Sequence, residues 1–209
     1  MRRELNMSPI SQKAINLILE FEGFDQPSKW PGEQSGITIG IGYDLGYVAV
    51  DQFENDWSKV LDKDTIEKLK PAIGVKGIKA KELASKFVGI KISKKAAISV
   101  FEEKTLPEYQ KQASEAFPGF YNLPLNAQGA LISLVYNRGT AMNDNSHDDR
   151  RREMRAIKEA VSQNDLKEIA NQLRSMKRLW IGRGEDGLLR RRDAEAELVE
   201  DSTDRKSVV

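Results

Sequence analysis

Between residues 36 and 50 the chain sets three isoleucines, Ile37, Ile39 and Ile41, at every second position, with glycines at 36, 40, 42 and 46. A period of two marks a β-strand, and glycine inside a strand marks close backbone approach. From about residue 51 onward the apolar residues instead recur three and four apart. The pattern therefore predicts one short piece of antiparallel sheet in a chain that is otherwise helical.

The helical stripes are clear. Ala14, Leu17, Ile18 and Phe21 predict a helix over 10–22, opened by Ser8-Pro9 or Ser11 and closed by Gly23. Asp64 with Glu67 three residues on reads as a capped start. Ser93 precedes Ala96, Ala97, Val100 and Phe101, and Pro107 opens the next helix. Asn126 reads as the cap of the cleanest stripe, Ala127, Ala130, Leu131, Leu134 and Val135, which Gly139 ends. Asn164 reads as the cap of Leu166, Ile169, Ala170, Leu173 and Met176, and Gly187 precedes a last helix through about Val199. The expected fold class is α+β and predominantly helical. A β-containing lobe over about 23–60 accompanies a helical lobe over about 61–200 plus 10–22, with 201–209 as a flexible tail. A groove between two such lobes is where a polymer would lie.

Composition removes several chemistries. The 209 residues contain no cysteine, so thiol catalysis, disulfides and Cys-ligated zinc are excluded. The one histidine, His147, lies in a polar run, and no nucleophile elbow surrounds any serine, so a His-based triad is not expected. Net charge is +1, which gives no global argument for nucleic acid. Arg150, Arg151, Arg152 and Arg155, and again Arg190, Arg191 and Arg192, read as solvated helix faces. No apolar run is long enough to span a membrane, and no apolar stretch follows the basic start as a secretory signal requires. The expectation is synthesis in the cytoplasm without a signal peptide.

Chemistry concentrates at Glu22, Thr38 and Asp44. Glu22 ends the first helix, where the helix dipole disfavours a carboxylate, the environment a general acid needs. If the hairpin folds back over that helix end, Glu22 and Asp44 face one groove, and two carboxylates flanking a glycosidic bond are the minimal apparatus for its hydrolysis. Thr38 offers a hydroxyl between them. The plainer alternative is that Glu22-Gly23 ends a helix and Asp44 serves a turn.

Thr38-Ile39-Gly40-Ile41-Gly42, preceded by Glu22-Gly23, resembles the signature of phage-type lysozymes, and the longer Gly36–Gly46 stretch resembles their pesticin-like muramidase branch. Leu125–Gly139 resembles the central helix of these enzymes and Gly187–Leu198 their closing helix, in family order, which implies that Arg190, Arg191 and Arg192 are a structural feature of that helix. The resemblance covers about residues 10–200. It implies a lysozyme-like fold and an endolysin-like hydrolase that cleaves the β-1,4 bond between N-acetylmuramic acid and N-acetylglucosamine of bacterial peptidoglycan. No metal or cofactor is implied. Glu22 becomes the general acid, Thr38 the motif threonine and Asp44 the second acid. In the better-known phage lysozymes the second acid precedes the threonine by six residues, which is Gly32 here; the adjacent Glu33 therefore competes with Asp44, and Asp25 is a weaker third. Tyr43, Trp30, Asn137 and Arg138 are candidate substrate contacts, and Trp180 is a packing residue. The expected partner is peptidoglycan, met in the periplasm after release or secretion, by a monomer that inserts in no membrane and binds no nucleic acid. An inhibitor or export partner is left open, as are two other readings: a wall-binding scaffold of low turnover, and a lytic transglycosylase.

Overall fold

The computed structural model describes residues 10–24, 29–87 and 89–204. Ser8, Pro9, Asp25 and residues 205–209 lie outside them. The chain is mostly helical with one two-stranded antiparallel sheet, as expected. Among the described residues no helix is long and apolar enough to cross a membrane.

The chain divides into two compact units, Met1–Phe21 with Glu108–Val209, and Glu22–Pro107. In the first, α1 (Gln12–Glu22) starts at Ser11, whose Oγ accepts from Ala14 N at 3.2 Å. Gly23, at φ +71°, ends the helix in the left-handed conformation that glycine tolerates best. α7 (Leu125–Arg138) is buried on every side from Asn126 to Val135, as a helix at the centre of a core must be. Gly129 permits its approach to α1: a Cβ there would lie 2.0 Å from that of Ala14. α10 (Asp186–Asp204) packs on α7, α9 (Leu166–Ser175) on α10, and α8 (Arg152–Ser162) on α9.

Two expected caps in this unit are corrected. Asn126 lies inside α7, which starts after Pro124, and its side-chain amide donates to Asp201 Oδ2 at 2.9 Å. The cap of α9 is Asp165, accepting from Glu168 N at 2.9 Å, while Asn164 takes a left-handed φ of +54° just before it. The tail boundary also moves. α10 runs to Asp204, because Asp201 is held by Asn126 and by Lys13 Nζ at 2.7 Å, and Ser202 is buried.

The arginines of α10 are the largest correction. Arg190 is exposed, but Arg191 is buried and Arg192 is 0% exposed. Both donate to Glu195 Oε1, at 3.3 and 2.7 Å, and Ser133 Oγ of α7 donates to the same oxygen at 2.6 Å. They form a buried ionic knot, not a solvated face. Glu195 supplies one counter-charge from the same helix, at i+4 from Arg191 and i+3 from Arg192.

The second unit holds the hairpin, α2 (Val50–Trp57), α3 (Lys63–Leu69), α4 (Ile78–Leu83) and α5 (Lys94–Val100). Ser93 caps α5 as expected, accepting from Ala96 N at 3.1 Å. The cap of α3 is Asp62 rather than Asp64; it accepts from Thr65 N at 2.8 Å, and Asp64 falls in the first turn. α6 (Leu106–Ala116) does not start at Pro107. A π-helical turn over Phe101–Thr105 leads into it, which accommodates a proline that lacks an N–H.

Gly129→Ala sets a gain in helix propensity of about 1 kcal/mol against an overpacking cost of about 1–3 kcal/mol. Chemical denaturation is expected to show net loss in the single variant and recovery in Gly129→Ala with Ala14→Gly.

Candidate active site

The sheet is minimal: β1 is Thr38–Ile39 and β2 is Tyr43–Asp44, paired Thr38 with Asp44 and Ile39 with Tyr43. Gly40 and Gly42, at φ +60° and +63°, turn the chain between the strands, so the longer strand suggested by the alternating isoleucines stops at two residues. Ile37, Ile39 and Ile41 are all buried, and so are Thr38 and Gly40 between them. The hairpin is covered on both faces.

Asp44 ties this loop system together. Its Oδ1 accepts from Gly46 N at 2.8 Å and Gly36 N at 3.0 Å, and its Oδ2 from Gly36 N at 3.1 Å. Asp44 also caps the short 3₁₀ turn Leu45–Tyr47. Gly36 has to be glycine for this contact, because a Cβ would stand 2.4 Å from both Asp44 Oδ1 and Gly46 N. At Gly36, Gly40 and Gly46 the close backbone approach is made by the protein itself, through Asp44, Trp57 and the Val75–Lys76 backbone and side chain respectively. Oδ2 accepts one bond, so a carboxylate oxygen with a free lone pair remains for a water or hydroxyl.

Thr38 is 5% exposed. Among the described residues its hydroxyl has no protein partner, and the strand holds it at a buried position. Glu22 is the half-buried last residue of α1 and opens the unit that contains the hairpin. Glu33 is exposed on a tight turn at φ +47° after Gly32, with Ser35 N donating to Gly32 O at 3.0 Å. Of the two competing acids, Asp44 is the one across from Thr38. Asp25 lies outside the described residues.

The candidate substrate contacts divide. Tyr43 is a core residue at 8% exposure: its ring stands perpendicular to that of Trp57 with centroids 5.4 Å apart, and its hydroxyl donates to Asp56 Oδ2 at 2.9 Å. Burial, reinforced by that bond and by the Asp56 charge, pushes the phenol far above its ordinary range. It does not offer a ring face for stacking. Trp30 is half-buried, with its indole N–H donated to Ser35 O at 3.1 Å and Lys81 over the ring. In the other unit Asn137 is exposed and Arg138 half-buried, its guanidinium 5.1 Å from the Trp180 ring centroid. Asp56 was not anticipated. Its only sequence signal is an acid beside Trp57 on a helix that faces a strand tyrosine. Among the described residues no group of three or more His, Asp or Glu side chains is arranged to hold a metal ion.

A family model described as a domain of unknown function (DUF8812) matches residues 21–116. The match includes Glu22, Thr38 and Asp44. No curated protein matches the chain.

Asp44→Asn puts an amide where two backbone N–H groups converge and is expected to cost about 1–3 kcal/mol of stability. Gly36→Ala is expected to cost as much by the steric route. Urea midpoints of the two variants check both, and a fall in neither would remove Asp44 from its structural role.

Proposed function

We propose that the protein is a peptidoglycan-degrading muramidase of the phage-type lysozyme class, in its pesticin-like branch. The observation that carries this reading is the hairpin register, in which Asp44 stands opposite Thr38 inside the stretch that resembles that branch. A mostly helical chain with one short hairpin after a helix ending in Glu-Gly also suits a lysozyme-like fold.

In this reading the protonated Glu22 gives its proton to the bridging oxygen as the bond from muramic acid C1 breaks. The departing sugar leaves with a free hydroxyl. A water held between Thr38 Oγ1 and Asp44 Oδ2 adds its hydroxyl to C1, and its proton passes to Asp44. Carboxylate charge near C1 stabilises the oxocarbenium character of the transition state. Peptidoglycan is the partner and the cell wall the place of action.

A second reading is favoured by one observation: the Asp44 carboxylate is fully explained by its bonds to Gly36 and Gly46. A lytic transglycosylase needs Glu22 and no water, and leaves an anhydro-muramic end.

Clearing of purified cell-wall suspensions is the test of activity. Glu22→Gln is expected to slow clearing by about 10²–10⁴-fold, the range of a lost general acid, while sedimenting with the wall as the wild type does. Wild-type binding without clearing would instead make the protein a wall-binding scaffold.

A further inference from the structure

In the helical unit, Arg152, Arg155, Arg174, Arg178, Arg191 and Arg192 each have a carboxylate within 4 Å. The guanidinium groups of Arg138, Arg150 and Arg151 have none among the described residues, although all three residues are half-buried; Asp144 meets Arg150 only at its backbone N–H, Oδ2 accepting at 2.8 Å. They gather at the end of α7. Arg138 Nη2 donates to Arg150 O at 2.8 Å, and Arg151 Nη1 donates to Arg138 O at 3.0 Å. Arg138 Nε is buried with no acceptor, and no described residue accepts from Nη1. The nearby Glu153 is already committed to Arg152 and Arg178, at 2.9 and 2.5 Å.

We propose that Arg138, Arg150 and Arg151 form a binding site for an oxyanion, which the wall substrate supplies as a carboxylate of the peptides on its glycan strand. The second half of this statement rests on the muramidase reading; the first does not. A desolvated guanidinium among like charges is costly unless an anion joins it. Burial and the charges of Arg151, Arg192 and Arg150 outweigh the opposing charge of Glu153 and push Arg138 down to about 10. Trp180 gives the site a rigid floor: its ring carries the guanidinium groups of Arg138 at 5.1 Å and Arg192 at 5.9 Å. A planar fork so held matches the two oxygens of a carboxylate or two of a sulfate.

The test is thermal unfolding of the full chain in sulfate, acetate and chloride at matched ionic strength. Wild-type Tm is expected to rise by about 3–6 °C in sulfate at tenfold excess over Kd, relative to chloride. Arg138→Met is expected to melt higher than wild type in chloride, because an uncompensated charge is gone, and to show no sulfate increment. If Arg138→Met does not fold, Arg151→Gln carries the test, with its increment expected to fall by at least half. An absent increment in wild type, or one unchanged in the variants, overturns the site. A second arm measures co-sedimentation of Glu22→Gln, with and without Arg138→Met, on intact wall and on wall stripped of its peptides. Weaker binding confined to intact wall supports the peptide carboxylate as ligand. Equal binding on both overturns that source and leaves a site for a free oxyanion. Failure of the muramidase reading shows separately, as a sulfate increment in a protein that does not clear cell walls.

Discussion

The hairpin unit depends on one carboxylate. Asp44 gathers the backbone N–H groups of Gly36 and Gly46, which come from either side of the two strands, and so closes a loop that two-residue strands could not hold by themselves. The interaction has a steric condition, since only a glycine at 36 lets the backbone come that near. It also has a chemical consequence. The side chain that builds the loop is fixed across from Thr38, with one oxygen still able to accept. A group immobilised for structural reasons is preorganised for chemistry, and the same residue can serve both without conflict.

The helical unit meets the opposite problem, an excess of buried positive charge. Glu195 and Ser133 pair with and order Arg191 and Arg192 inside the core, with Arg191 also lying 5.8 Å from the ring of Phe21, the residue before Glu22. At the end of α7 the guanidinium groups of Arg138 and Arg151 meet carbonyl oxygens, and neither they nor that of Arg150 has a carboxylate in ion-pair contact among the described residues. The contrast between a compensated and an uncompensated arginine cluster in one unit separates a structural device from a place prepared for a ligand.

Much of this was legible in the sequence where the signal was local. Ser11, Gly23, Ser93 and Gly139 mark helix ends by intrinsic chemistry, and they mark them in the structure. The caps that moved are those where several competent residues stand close together. Asp62 and Asp64 can both cap α3, Asn164 and Asp165 can both cap α9, and packing decides. Asn126 was drawn inside α7 by Asp201, 75 positions away, which no local pattern reveals. The arginines failed for a related reason. Charge spacing on a helix does not distinguish a solvated face from a buried pair, and only the partner Ser133 on α7 settles which it is. Glu22, Thr38 and Asp44 stand out in the sequence as candidates, but their roles do not. That Asp44 is a structural clasp follows from two glycine N–H groups, and glycine periodicity alone does not say whether the protein or a sugar fills the space.

Because Asp44 is bound into the fold, its substitution alone does not separate a water-using hydrolase from a transglycosylase. The chemistry of the product does. Digestion of purified peptidoglycan in water enriched in heavy oxygen, followed by mass analysis of the released fragments, reads the fate of muramic acid C1 directly. A muramidase that works through Glu22, Thr38 and Asp44 is expected to yield reducing muramic ends that carry the heavy oxygen. Anhydro ends without label would contradict a water-activating role for Thr38 and Asp44, and no released fragments would contradict the enzyme altogether.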